Sequence, residues 1–176
     1  MVIIENNEQL SSFIKIYKKQ DSIVIPIQSD EHKHPADDDI CLLYVHIIDG
    51  EEYILSYNHS ESLNLDKQPN LKSDTKKYTI DKKRLQHLID INNVVDVNLL
   101  NYIETNQSIQ TDNLETNTHN FFNIKHYRKK NINRVIPILK HLEYCRKLSK
   151  KLTAAINSSS DSDNMSYNND VLDNLS

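Results

Sequence analysis

The sequence predicts an α/β domain in which helices flank a mixed β-sheet, and three observations predict it. Residues 21–58 read as strand, charged loop, strand, tight turn, strand; residues 80–106 alternate helix and strand; residues 133–156 carry the longest helical pattern. Short apolar runs bounded by turn signals and followed by helix–strand alternation fit a sheet covered by helices. The 176 residues, 38% of them hydrophobic and 26% charged, amount to one domain with its own core and an appendage. A sheet of about five strands is expected.

In chain order, residues 5–19 place Leu10, Phe13, Ile14 and Tyr17 on one helical face. DSIVIPIQS (21–29) is a strand with a polar end, and DEHKHPADDD (30–39) is a charged loop. ICLLYVHII (40–48) is a nearly unbroken apolar strand, the kind buried on both faces. Asp49-Gly50 signals a hairpin turn into the returning strand EEYILSYN (51–58). Residues 60–78 read as polar and irregular. From Ile80 a helix is expected, with Ile80, Leu85, Leu88 and Ile89 at helical spacing and Asp81 at its start, where a carboxylate is favoured. NVVDVNLLNYIETN continues as a short strand and then a helix with Leu99, Leu100 and Ile103, and 104–120 is a polar connection. In the helix over 133–156, Pro137 marks a first turn or a kink. Val135, Leu139, Leu142 and Cys145 are its expected inward face, with Lys140, Arg146, Lys147 and Lys150 outward. NSSSDSDN (157–164) reads as a linker, and residues 165–176 begin another amphipathic pattern.

Composition excludes several functions. Gly50 is the single glycine, which rules out phosphate-cradling loops, a GxGxxG dinucleotide turn and a GxSxG elbow, all of which need glycine for close approach or strained turns. The net charge is −4, yet residues 125–152 hold ten Lys and Arg against Glu143 alone. That asymmetry fits either a polyanionic partner or a solvated basic helix. Cys41 and Cys145 form no metal-type pair; Cys41, in an apolar run, is expected as a buried free thiol in a reducing, cytoplasmic setting. No apolar run is long enough to span a membrane, and the N-terminus lacks a secretory pattern.

The stretch IVIPIQSDEHKHPADDDICLLYVHIIDGEEYILSYNH resembles the opening of the 3′–5′ exonuclease domain of family A DNA polymerases, whose first strand ends in an Asp-x-Glu motif. KKYTIDKKRLQHLI is similar to that family's second motif, Asn-x-x-x-Asp, and VVDVNLLNYIETN to the segment after it. SYNNDVLDNLS resembles the helix that leads into the polymerase thumb. The resemblance runs in order over residues 20–176. It implies an RNase H-like fold for residues 1–156, with 165–176 starting a helix toward a polymerase domain of a longer viral or phage chain. Active members hold two divalent metals, Mg²⁺ or Mn²⁺, on carboxylates. The resemblance implies Asp30, Asp81 and Asp96 as the catalytic carboxylates of an active form, and Asp30, Glu31 and Asp81 as metal ligands. This sequence departs from the pattern at several positions. Gln28 stands where the first Asp would, unless a slip in register uses Asp30 with His32, or Glu31. Lys77 replaces the second motif's Asn, and Val135 and Leu139 stand where a Tyr-x-x-x-Asp motif would. Two metals are poorly held by the carboxylates that remain, so a retired exonuclease with a structural or DNA-contacting role is expected. An active exonuclease, or an interaction protein without nucleic-acid function, are the alternatives.

KHYRKK (125–130), with Phe121 and Phe122 nearby, interleaves basic and aromatic residues, which suits a single-stranded 3′ end or template. Lys125, Tyr127, Arg128, Lys129, Lys130 and Arg134 are the candidate contacts. His32, His34, Asp37, Asp38 and Asp39 read as a solvated loop before a metal cluster. His46 is expected as a core or edge residue, and His119, His126 and His141 as exposed or phosphate-facing.

Overall fold

Among the described residues the sheet has six strands. The computed structural model describes residues 1–109 and 132–158. Its strands are β1 (Val2–Ile4), β2 (Ser22–Gln28), β3 (Ile40–Ile47), β4 (Glu52–Ser56), β5 (Lys77–Thr79) and β6 (Val94–Asp96). Its helices are α1 (Asn7–Tyr17), α2 (Lys82–Leu88), α3 (Val97–Thr105), α4 (Ile132–Val135) and α5 (Ile138–Ser158). The spatial order is β1-β4-β3-β2-β5-β6. β2, β3 and β4 form an antiparallel meander, while β5 and β6 run parallel to β2. A meander whose first strand is joined on its free side by two parallel strands is the RNase H-like arrangement. β1 is an addition, paired parallel with β4 at one edge.

Alternation along β2 divides the core in two. Ile23, Ile25 and Ile27 face one layer with Leu100, Leu142, Cys145, Leu148 and Leu152, under α3 and α5. Val24 faces the other with Phe13, Tyr17, Leu85 and Leu88, under α1 and α2. Each large apolar side chain so buried contributes about 1.5–3 kcal/mol of transfer free energy. β2 is buried along its whole length and β3 at every residue but the half-buried His46, as the apolar runs predict.

Five expectations are corrected. The three-residue strands β1 and β5 are absent from the sequence reading; Lys77, on β5, is buried, donating to Ser73 O at 2.9 Å and to Asn92 Oδ1 at 3.1 Å, over the Tyr17 ring. The helix expected from residue 133 is two helices, because Pro137 cannot continue the first. On the second, Leu142 and Cys145 face inward as expected, together with Ile138, Leu148 and Leu152, while Leu139, expected inward, is 72% exposed. α5 also runs on to Ser158, past the expected boundary. Last, His141 is buried, not exposed. The 165–176 pattern, His119 and His126 lie outside the described residues.

The hairpin turn forms where Asp49-Gly50 predicts it, with an unexpected division of labour. Asp49 takes the left-handed conformation (φ 61°). Gly50 packs closely, since a Cβ there would lie 3.0 Å from Ile47 Cγ2 and crowd that side chain.

Candidate functional site

The resemblance places the site at the carboxyl end of β2, where the strand gives way to the 30–39 loop. Gln28 is the last residue of β2 and is 2% exposed. Its side chain is fully engaged. Nε2 donates to Asp30 O at 2.6 Å and Lys33 O at 2.7 Å, with Asp38 Oδ2 at 3.3 Å. Oε1 accepts from Arg84 Nε at 3.0 Å. The loop is thus wrapped around an amide: two carbonyls and a carboxylate converge on its NH₂ group, and a guanidinium approaches its oxygen. Asp38 Oδ2 also accepts from Asp30 N at 2.7 Å, and Ser29 N donates to Asp39 O at 2.8 Å to close the loop's base.

The carboxylates named from the sequence have local partners. Asp30 Oδ1 accepts from His32 N. Asp81 is the N-cap of α2, accepting from Arg84 N at 3.1 Å. Asp96 caps α3 through Leu99 N at 2.9 Å and also accepts from Lys82 N at 3.0 Å, so one carboxylate serves the start of two helices. Burial holds the Asp96 carboxyl above the usual range, opposed by its backbone donors and reinforced by the charge of Asp81. Asp81 and Asp96 are therefore electrostatic neighbours. Glu31 lies half-buried in the turn after Asp30.

Divalent magnesium or manganese requires several free oxygen donors at one point. Gln28 is neutral and its oxygen faces a cation, and among the described residues no three His, Cys, Asp or Glu side chains are grouped to hold a metal ion. The residues present do not fit a two-metal centre.

Behind Gln28 the α4–α5 corner is tied to the strand end. Asn133 Nδ2 donates to Gln28 O at 2.6 Å, and Asn133 N to Ser29 O at 3.2 Å. Two buried histidines hold that corner: His141 Nε2 lies 2.7 Å from Asn133 O, and His59 Nε2 lies 2.8 Å from Ile136 O. The backbone N–H of Glu61 donates to His59 Nδ1, which fixes the proton on Nε2. Burial lowers the His141 pKa to about 4, with the neighbouring His59 charge acting in the same sense and the Asn133 hydrogen bond against it.

Of the candidate nucleic-acid contacts, Arg134 is half-buried beside this corner, and its Nε is buried with no hydrogen-bond partner. Lys125, Tyr127, Arg128, Lys129 and Lys130 lie outside the described residues. On α5, Arg146 is committed to Glu52 through two nitrogens, and Glu143 lies between Lys140 and Lys147. Sequence reasoning missed Arg84. The signal that could have found it is its place three residues after the Asp81 cap, in the first turn of α2 and beside the strand end.

Both cysteines are buried free thiols, as expected for Cys41. Burial pushes the Cys41 thiol up to about 12, which leaves it inert. No helix among the described residues is long and apolar enough to cross a membrane.

No known family profile matches the chain, and no curated protein matches it by sequence. Solved structures do resemble it. One, described as the apo form of a nuclease, is 14% identical with a TM-score of 0.49, over 93% of this chain and 84% of that one. Another, the catalytic core of RRP6 from Trypanosoma brucei, is 13% identical with a TM-score of 0.37, over 90% of this chain. The chain spans half the length of that core. The fold itself is given by strand order and direction: the chain is a mixed α/β domain with an RNase H-like sheet.

Proposed function

We propose that this chain is an exonuclease-like domain whose metal site has been retired, and that it serves a structural and DNA-contacting role. The observation that carries the reading is Gln28: at the end of the first strand of the meander, where the resemblance expects a metal-bridging carboxylate, stands a buried amide hydrogen-bonded to Arg84. Its partners are a single-stranded 3′ end or template and, on the sequence resemblance alone, a family A-type polymerase domain in the same longer chain. A cytoplasmic setting belongs to the same reading. The basic segment over 125–152 supports the DNA contact.

The role is tested by the anisotropy of a 5′-labelled oligodeoxynucleotide titrated with the intact chain over a series of salt concentrations. Binding that weakens steeply as salt rises is expected, because each phosphate contact releases a counterion. Binding that is absent, or indifferent to salt, overturns the DNA-contacting role and favours an interaction protein.

A further inference from the structure

The structure assigns Arg84 as the resident cation of the retired site: its guanidinium, held by Gln28 Oε1 at the carboxyl end of β2, takes the place of a divalent metal and excludes one. This inference rests on reading the site as a degenerate exonuclease centre, and it names what closed it.

Three features carry it. The first is direction. Gln28 divides its surroundings by charge, with acceptors on its NH₂ side (Asp30 O, Lys33 O and Asp38 Oδ2) and a permanent cation on its oxygen side. A metal ion would need that same oxygen side. The second is fixation. The backbone of Arg84 is pinned by the Asp81 cap and its Nε by Gln28, so the charge is held at the strand end and not left to wander in solvent. The third is setting. Asp38 Oδ2 lies 3.3 Å from Gln28 Nε2, and Asp81 caps the helix that carries Arg84, so carboxylates stand near the pair and favour a fixed positive charge. A guanidinium supplies it without leaving, since it stays protonated at any physiological pH.

The pair also explains why a single reversion would not reopen the site. An aspartate introduced in place of Gln28 would meet Arg84 as an internal ion pair, and the metal would still be shut out.

The test is a Mn²⁺ titration followed by electron paramagnetic resonance of the free ion. The proteins are the wild-type chain, Gln28→Asp, Arg84→Gln and the double variant Gln28→Asp/Arg84→Gln. The double variant is expected to bind Mn²⁺ about tenfold or more tightly than Gln28→Asp, and the wild-type chain not at all. Equal affinity of Gln28→Asp and the double variant overturns the inference, as does Mn²⁺ binding by the wild-type chain. The introduced carboxylate would face two carbonyls and Asp38, so Gln28→Asp/Arg84→Lys provides a second arm. It retains a cation and should bind Mn²⁺ no more tightly than Gln28→Asp; an affinity equal to that of Gln28→Asp/Arg84→Gln overturns the inference. Cleavage of DNA by the wild-type chain would instead sink the reading of a retired site, so the two failures are distinguishable.

Discussion

Gln28 acts through its amide, and the two ends of that amide are not interchangeable. Gln28→Leu leaves two loop carbonyls and a guanidinium without their partner in a buried place, a loss of about 2 kcal/mol. Gln28→Glu is isosteric but sets a second acceptor against Asp30 O, Lys33 O and Asp38, so it should cost more than the leucine. Urea midpoints of the two variants, at unchanged slope, check that order. His141 makes a separate prediction. Its folded pKa of about 4 lies below the unfolded value, so the unfolded chain takes up the proton first as pH falls. The stability held by the neutral ring is complete above about pH 6.5 and declines toward pH 4, by up to about 3 kcal/mol. His141→Gln, which can still donate to Asn133 O, should flatten that part of the pH–stability curve. A slope unchanged in the variant would remove His141 as the cause.

At the scale of elements, two carboxylates that the resemblance implies as catalytic serve as helix caps. Asp81 begins α2, and Asp96 begins α3 while also accepting from the first residue of α2. A cap needs an oxygen, not a charge. Asp81→Ala should therefore cost about 1 kcal/mol, while Asp81→Asn should cost little. Thermal melts of the pair separate a capping aspartate from one kept for its charge. The helix pair α4–α5 shows how one residue redirects an element. Pro137 interrupts the chain after four helical residues, and the corner so made is what Asn133 fastens to the end of β2. Arg146 then ties the middle of α5 to the β3–β4 hairpin through Glu52, whose carboxyl that pairing lowers to about 2.

For the molecule as a whole, the meander was legible because β2, β3 and β4 are apolar over five to eight residues and are joined by clear turn signals. β1 and β5 were not legible, because three residues are too few to show a period of two and Lys77 reads as solvent-facing. On α5 the inward placement of Leu142 and Cys145 was legible, whereas Leu139 was misplaced because the pattern was carried through Pro137. His141 was taken as exposed because it lies among lysines; only the fold reveals that the Asn133 carbonyl lies within reach of its ring. At the site, the resemblance implies Gln28 in place of the first Asp, unless the register slips to Asp30 or Glu31. The partner of Gln28 was not legible, since Arg84 lies in a run of three basic residues and only the fold brings it to the strand end.

The proposal that this domain has a retired metal site is decided by one assay. A 5′-labelled single-stranded oligonucleotide is incubated with the folded chain and Mg²⁺ or Mn²⁺, with chelator and Asp81→Asn controls. The account predicts an intact oligonucleotide under every metal condition. A ladder growing from the 3′ end, abolished by the chelator and by Asp81→Asn, would contradict it and show that the Gln28–Arg84 pair does not close the site.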